Sequence, residues 1–275
     1  MKLSKTERMM LQGRYGEACR KSLELIMAIA ESYGYGELVK IRSAHVSGVS
    51  YKNIGDAGLS YIKDLVKEGA KVKVKTTMNP CGFDLDKPWL FDVDEDFLRK
   101  QMEIIKLLEA IGVKPSLTCT PYYVDNVPRK GEHVAWAESS AVIYVNSVMG
   151  AYTNRESGPS ALAAAVTGRT ALTRDHTDER KPEVAVDVLA KIFDHSDWSL
   201  LGFLIGKMAS DQSPLIKIRT SDRDKDKLKS LSAGLGTSSS TSIFWLASNF
   251  QEEEGLERIT ITRKDLRRAR DNWSL

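Results

Sequence analysis

Long helical patterns alternate with short strand patterns through the first half of this 275-residue sequence, and this alternation constrains the fold more than any other feature. Apolar residues recur at helical spacing over residues 5–32, "NIGDAGLSYIKDLVKEG" and "DEDFLRKQMEIIKLLEAIGV". The strand patterns are "ELVKIRSAHV", "AKVKVKTTMNP" and "KPSLTCTPYYV". Because helices that connect successive strands leave those strands parallel, we expect an α/β fold with layered parallel or mixed sheets flanked by helices.

The second half of the sequence is less regular. Residues 136–149 predict a buried helix, and the small residues of 160–168 predict a short one. "PEVAVDVLAKIFDH" also has the pattern of a helix. Two later stretches indicate strands, "STSIFWLASNF" and "LERITIT".

A charged loop over residues 170–181 is the most favourable place for a domain boundary. We therefore expect an α/β domain over 1–170 and a second α/β region over 171–275. Near the end, Thr262 and Asp265 have the spacing of a capping pair in front of a last helix.

Charge and hydropathy argue against two classes of partner. The chain has 40 basic and 37 acidic residues, a net charge of +3, and the two signs are interspersed, so nothing favours nucleic-acid binding. The basic tail "TRKDLRRARDNWSL" is better explained as a solvated helix face. No run of 18 apolar residues predicts a membrane span, and the start lacks the apolar core of a signal peptide. We expect a cytoplasmic protein.

Small polar clusters follow the three predicted strands of the first half, in "SAHVSG", "TTMNPCG" and "TCTPYY". In open α/β sheets, ligands bind at the carboxyl ends of the strands, so these clusters would form a polar floor. His45 is either a hydrogen-bonded structural group or a residue that orients substrate or moves a proton. Thr76, Thr77 and Asn79 taken alone favour a simple turn.

The segment "NSVMGAYTNRESGPS", residues 146–160, places consecutive polar residues after an apolar run. Such groups are costly unless they pair with one another or bind a ligand. The guanidinium of Arg155 suits a carboxylate or phosphate, and Glu156 could hold that guanidinium or move a proton. We favour a ligand-binding role over an internal salt-bridge network.

The three cysteines, Cys19, Cys81 and Cys119, are widely spaced and form no CxxC pair. Their spacing favours inert thiols over a disulfide framework. The apolar neighbours of Cys119 predict a buried thiol. A metal-binding role for Cys119 would need partners from elsewhere in the fold.

Several of these motifs, taken together and in order, resemble the aconitase X family. They are "LQGRYGEA", "SAHVSGVSYKNIGDAGL", "TTMNPCGFD", "TCTPYY", "GEHVAWAESSAVIYVNSVMGAYTNRESGPSALAAAVTGRT" and "ERITITRKDLRRAR". The resemblance implies an aconitase-like fold, a hydro-lyase activity and an iron–sulfur cluster with an open iron site. Archaeal members remove water from mevalonate 5-phosphate in isoprenoid synthesis, and bacterial members act on hydroxyproline isomers. The resemblance also implies a small partner subunit, which would cap the site and supply a catalytic serine.

The resemblance also implies roles for individual residues. Cys119 matches the cysteine of the family's "CTPY" motif and would ligate the cluster. His45 and Glu156 would be catalytic, with His45 orienting the leaving hydroxyl, and Arg155 would hold an anionic group. The substrate-binding positions are Ser47, Thr76, Thr77, Asn79, Ser139, Ser140, Asn154 and Arg155.

This sequence departs from the family pattern "GARTNREGGP" at two positions, where Tyr152 replaces an arginine and Ser157 replaces a glycine. We expect weaker anion binding from the first change and a crowded turn from the second. The change from a Gly-x-His step to "TRDHTDER" puts the role of His176 in question.

Two hypotheses follow from the resemblance. The first is a dehydratase subunit that works with the small subunit and with a separately encoded carboxy-terminal piece, because the family's large subunits continue into a "GCPH" segment with further cluster cysteines. The second is a degenerate, non-catalytic member that acts as a binding or scaffold protein.

Overall fold

A computed structural model of the chain describes residues 1–218, 224–248 and 255–273. It divides into two compact units. The first unit is 1–138 with 153–177, and the second is 139–152 with 178–275. The domain boundary expected at residue 170 stays a prediction; by packing, residues 139–152 belong to the second unit and residues 171–177 to the first. None of the described helices is long and apolar enough to cross a membrane.

The helices and strands are numbered here in chain order. The helices are α1 (Lys5–Leu11), α2 (Glu17–Ser32), α3 (Tyr51–Lys67), α4 (Glu95–Ala110), α5 (Ser139–Tyr144), α6 (Gly158–Thr167), α7 (His195–Ala209), α8 (Lys225–Ser238) and α9 (Arg263–Trp273). The strands are β1 (Leu38–Lys40), β2 (Ser43–Ser47), β3 (Lys75–Asn79), β4 (Val134–Trp136), β5 (Arg169–Ala171), β6 (Val184–Val188), β7 (Pro214–Lys217), β8 (Trp245–Leu246) and β9 (Glu257–Ile261).

The first unit has a three-stranded parallel sheet in the order β3-β2-β4, which carries several of the predicted site residues. His45 in the middle strand pairs with Thr77 on one side and Trp136 on the other. A separate antiparallel pair joins β1 to β5. The prediction of parallel or mixed sheets flanked by helices is therefore confirmed.

Three sequence-based elements of this unit need correction. The single strand "ELVKIRSAHV" is two strands, β1 and β2, which pair in different sheets. "KPSLTCTPYYV" is no strand: it contains two prolines, which cannot donate to a ladder, and a short 3-10 turn over Pro121–Tyr123. The third strand is β4, which the sequence pattern did not reveal. The predicted helix over 5–32 is broken between α1 and α2, where Gly16 has a φ of 91°.

The core of the first unit lies where its helices meet the parallel sheet. Helix α6, built of small residues, packs against β2, β4 and α2, and α3 packs against α4. The most completely buried large side chains of this core include Leu23, Met78, Ile104, Leu108 and Trp136. The small-residue helix predicted over 160–168 is confirmed and begins two residues earlier.

The second unit has a four-stranded parallel sheet in the order β8-β7-β6-β9. Helices α7 and α8 pack closely on each other, and α5 packs against α8. The predicted helix "PEVAVDVLAKIFDH" is wrong, because its first half forms the buried strand β6. The strand predicted over "STSIFWLASNF" is reduced to β8, and its last two residues lie outside the described residues.

The strand "LERITIT" and the cap in front of the last helix are confirmed. Strand β9 covers Glu257–Ile261. The amide of Thr262 donates to Asp265 at 2.8 Å, and the amide of Asp265 donates back to the Thr262 hydroxyl at 3.4 Å. This reciprocal pair satisfies donors at the start of α9 that the helix itself leaves open.

Candidate functional site

Polar side chains converge at the carboxyl edge of the β3-β2-β4 sheet. Ser47 and Asn79 are the last residues of β2 and β3, and Glu138 follows β4 by two residues. The Ser47 hydroxyl donates to Oε2 of Glu138 at 2.9 Å, and the Asn79 side-chain amide donates to the same oxygen at 3.0 Å. The expected convergence at strand ends is thus present for Ser47 and Asn79, with Glu138 in the place expected for "TCTPYY".

Arg155 reaches this edge because its segment extends the sheet beside β4. The backbone amide of Trp136 donates to the Thr153 hydroxyl at 3.0 Å, and the amide of Glu156 donates to the Trp136 carbonyl at 3.0 Å. Trp136 and Arg155 pair in a parallel bridge. Burial lowers the pKa of the half-buried Arg155 guanidinium, and the charge of Glu138 opposes that shift. We call Ser47, Asn79, Glu138 and Arg155 the edge cluster.

The carboxylate of Glu156 is occupied by donors of the same unit. Its Oε1 accepts from the Thr170 hydroxyl and from the Asn154 side-chain amide at 3.1 Å. Its Oε2 accepts from the Ser160 hydroxyl at 2.5 Å. An internal salt-bridge network was the alternative to ligand binding for this polar segment. The structure has an internal network here, but its donors are hydroxyls and an amide and not charged groups. The catalytic role of Glu156 stays a prediction.

Asn154 is held in the same network from both ends of its side chain. Its amide nitrogen donates to the Ala171 carbonyl at 3.1 Å, and its carbonyl oxygen accepts from the Thr173 hydroxyl. Its backbone amide donates to Nε2 of the buried His176 at 3.3 Å, and Nδ1 of His176 lies 3.0 Å from Nδ1 of His133. His176 therefore contacts the backbone of the segment that carries Arg155.

His45 is fully buried beneath the edge cluster. Its Nδ1 lies 2.8 Å from the Thr77 hydroxyl, which also accepts from the Asn126 side-chain amide at 3.0 Å. Its Nε2 is buried without a hydrogen-bond partner, and its ring meets Trp136 edge-on at 5.9 Å. Burial lowers its pKa to about 4, so the imidazole is neutral at pH 7.

The remaining predicted substrate-binding residues do not all lie in this unit. Thr76 is buried and its hydroxyl donates to the Val74 carbonyl at 2.8 Å. Ser139 and Ser140 begin α5, in the second unit, where they meet α8 at Gly236. A side chain at Gly236 would place its Cβ only 3.2 Å from the Ser139 backbone. Substrate contact by these three residues stays a prediction.

Cys119 is exposed, so the predicted buried thiol is wrong; the irregular chain before the 3-10 turn leaves this thiol at the surface. Cys19 is buried and Cys81 half-buried, and all three are free. No group of three His, Cys, Asp or Glu side chains that could hold a metal ion occurs among the residues described. Because an iron–sulfur cluster is held by several protein thiolates, Cys119 alone does not make a complete ligand set.

The two departures from the family pattern have defined surroundings. Ser157 has a φ of −85° and caps α6, its hydroxyl accepting from the Ser160 amide at 3.2 Å, so the expected crowding at this turn is wrong. The Tyr152 hydroxyl donates to Asp178, and the Arg180 guanidinium stacks 4.3 Å above the Tyr152 ring. A guanidinium therefore lies beside residue 152 even though that residue is a tyrosine.

Sequence reasoning missed Glu138 and Asn126, for two different reasons. Residues 136–149 were taken as one helix, whereas β4 ends at Trp136 and α5 begins at Ser139. A strand end at that point would have singled out Glu138 as a polar residue at the carboxyl edge. Asn126 lies in irregular chain, and no pattern in the sequence points to its bond with Thr77.

Two family models match the chain, described as Aconitase X first domain over residues 1–179 and Aconitase X second domain over 182–271. The phosphomevalonate dehydratase large subunit of Thermococcus kodakarensis is 42% identical over 284 residues, which cover 100% of this chain and 71% of that protein. The large subunit of Methanothermobacter thermautotrophicus is also 42% identical, over 99% of this chain and 69% of its own length.

More distant sequences and a solved structure agree with these matches. The cis-3-hydroxy-L-proline dehydratase of Pseudomonas aeruginosa is 34% identical over 88% of this chain and 42% of its own length. The crystal structure of Thermococcus kodakaraensis aconitase X in its holo-form superposes with a TM-score of 0.90 at 41% identity, covering 99% of this chain and 69% of that one.

Proposed function

The chain belongs to the aconitase X family, and we propose that it is the large subunit of a dehydratase that acts on mevalonate 5-phosphate. The reaction removes water and leaves trans-anhydromevalonate 5-phosphate. The observation that carries this proposal is the 42% identity to an archaeal phosphomevalonate dehydratase large subunit across the whole of this chain. The position of the edge cluster supports it, since ligands gather at the carboxyl ends of parallel strands.

The edge cluster has the groups that an acidic substrate needs. Elimination of water from a β-hydroxy acid requires donors for the carboxylate and a base for the α-proton. We assign Arg155 to an anionic group of the substrate, because its planar guanidinium suits carboxylate and phosphate. Glu138 is the carboxylate we assign to the proton, with Ser47 and Asn79 holding its Oε2 in place.

His45 and Thr77 lie in β2 and β3, two residues before Ser47 and Asn79, and contact each other there. The Thr77 hydroxyl accepts from Asn126, so it is able to donate to Nδ1 of a neutral His45. That arrangement leaves the imidazole proton on Nε2. Because the ring is buried, we assign His45 to positioning β2 and its neighbour Trp136.

An iron–sulfur cluster and a small partner subunit complete the proposal. An open iron of such a cluster would supply a Lewis acid for the leaving oxygen. Cys119, exposed in this chain, is the residue we assign to such a cluster, and no complete set of ligands surrounds it among the described residues. The partner follows from the relatives, which are named large subunits.

Turnover by the assembled enzyme tests the proposal. The chain, co-expressed with the small subunit and the separately encoded carboxy-terminal piece from the same genome and reconstituted without oxygen with iron and sulfide, should convert mevalonate 5-phosphate to the anhydro product, measured by mass spectrometry. Arg155→Lys should lower kcat/KM by about 100-fold, since lysine cannot reproduce a bidentate guanidinium contact. Arg14→Lys, at an exposed position, is the matched control.

Two outcomes of the turnover assay would contradict parts of this proposal. No product from the assembled mixture, while the proteins remain folded, would reject catalysis and favour the degenerate binding or scaffold protein. An Arg155→Lys variant as active as the Arg14→Lys control would remove Arg155 from the substrate site and leave the family assignment intact.

A further inference from the structure

Three consecutive large apolar side chains stand exposed in the first unit. Trp89 is 74% exposed, Leu90 66% and Phe91 52%. Together they form what we call the WLF segment, which begins in a 3-10 turn over Pro88–Leu90. Single exposed apolar residues are ordinary, but a contiguous group of this size on a folded surface is typical of an interaction site.

The WLF segment keeps its shape without burying these side chains. The Asp84 carboxylate accepts from the backbone amides of Asp86 at 2.8 Å and Lys87 at 3.2 Å, which closes the turn in front of it. The Phe91 amide donates to the Pro88 carbonyl at 3.2 Å. A local backbone network therefore presents the apolar surface in a defined conformation, so less ordering entropy is lost when a partner binds.

Acidic residues border the WLF segment. Five carboxylates lie within residues 84–95 against one cation, Lys87, whereas the whole chain is nearly balanced. They are Asp84, Asp86, Asp92, Asp94 and Glu95. The next carboxylate, Asp96, is ion-paired with Arg99 at 2.6 Å and with Lys100 at 2.9 Å, so it adds no net charge to this border. A partner that covers the segment needs an apolar pocket with a basic rim, because such charges are complementary across the interface.

The border of acids decides between possible occupants. Two copies of this surface facing each other would bring like charges together, and an anionic lipid surface would be repelled in the same way. A second protein with a basic rim has neither penalty. The WLF segment and the edge cluster both belong to the first unit.

We propose that the WLF segment is the docking surface for the small subunit, which contacts it with an apolar pocket bordered by lysine and arginine. This inference rests on the proposed function, from which the existence of a small subunit follows. It adds the surface on this chain that the subunit recognises and the chemistry of the surface that it must present.

Binding of the purified small subunit from the same genome to the full chain tests this. Trp89→Ser and Phe91→Ser should each weaken binding at least tenfold by isothermal titration calorimetry, with circular dichroism and melting temperature unchanged because both side chains are exposed. Tyr33→Ser, at a site 73% exposed in the same unit, is the matched control and should bind normally. Asp86→Asn with Asp92→Asn should reduce the loss of affinity that added salt causes.

The binding and dehydration measurements test the docking surface and the proposed function separately. Binding of Trp89→Ser and Phe91→Ser that equals the Tyr33→Ser control would overturn the docking proposal, and so would self-association of the chain that these variants abolish. Failure of the unaltered chain to bind the small subunit would overturn it too. Normal docking without dehydration would reject the proposed function alone, and dehydration with docking unaffected by these variants would reject this surface alone.

Discussion

His45 makes the stability of the first unit depend on pH. Burial lowers the pKa of its imidazole from 6.5 to about 4. Between those values the unfolded chain binds the proton and the folded chain does not, so the free energy of unfolding falls as the pH drops from 6.5 towards 4. The full effect is about 3 kcal/mol. Urea unfolding at pH 7 and pH 4.5 should show most of this loss.

The His45→Gln variant is the control, because glutamine has no proton to gain in this range. It should be less stable than the unaltered chain at pH 7, yet lose less stability on acidification. Equal acid destabilisation of both proteins would assign the effect to other groups and remove the buried imidazole from the explanation.

Individual site residues were predictable where they stand at strand ends. Ser47 and Asn79 end β2 and β3, so their convergence could be inferred from the sequence, whereas His45 lies inside β2 and is buried. The place of Glu138 could not be inferred, because β4 has only three residues and precedes a helix almost directly. The network around Glu156 depends on Thr170, which is distant in sequence, and no local pattern encodes that contact.

At the scale of helices, α7 and α8 approach so closely that glycine is required between them. A Cβ at Gly234 would lie 1.8 Å from the Ser199 carbonyl oxygen and 2.8 Å from the Phe203 nitrogen, both backbone atoms. Gly234→Ala gains about 1 kcal/mol of helix propensity but forces the helices apart, which costs more. We expect a net loss of about 2 kcal/mol or more in urea unfolding.

Gly36→Ala provides the matched comparison, because Gly36 has open space around its position and no positive φ. Its stability should change by less than about 0.5 kcal/mol. A Gly234→Ala protein more stable than the unaltered chain would mean that propensity outweighs packing and that the two helices can separate freely.

The same scale explains the mistaken helix over "PEVAVDVLAKIFDH". Its apolar positions fit a helical period, but three valines and an alanine near its start form a strand buried in a parallel sheet. Parallel strands are continuous apolar runs and not alternating ones, so periodicity alone cannot separate them from a buried helix. The long amphipathic helices α3 and α4 were predicted because charged and apolar positions alternate over many turns.

At the scale of the whole chain, each unit has its own sheet and its own buried cluster. The fold class followed from the alternation of elements, and the family from motifs spread along the sequence. The place of residues 139–152 in the second unit was not predictable, because it depends on packing between α5 and α8, which are far apart in sequence. A boundary inferred from loop composition cannot detect such a contact.

Because the two buried clusters are separate, a cavity in one of them should first lower the hydrogen-exchange protection of the unit that contains it. Leu231 and Ile104 are both fully buried, and the cluster around each contains residues of only one unit. Truncation to alanine should cost about 2–5 kcal/mol in either case. In hydrogen exchange, Leu231→Ala should reduce protection first in β6 and β7, and Ile104→Ala first in β2 and β3, because local openings follow local packing. Equal loss in all four strands from either variant would show that the chain unfolds as one cooperative body.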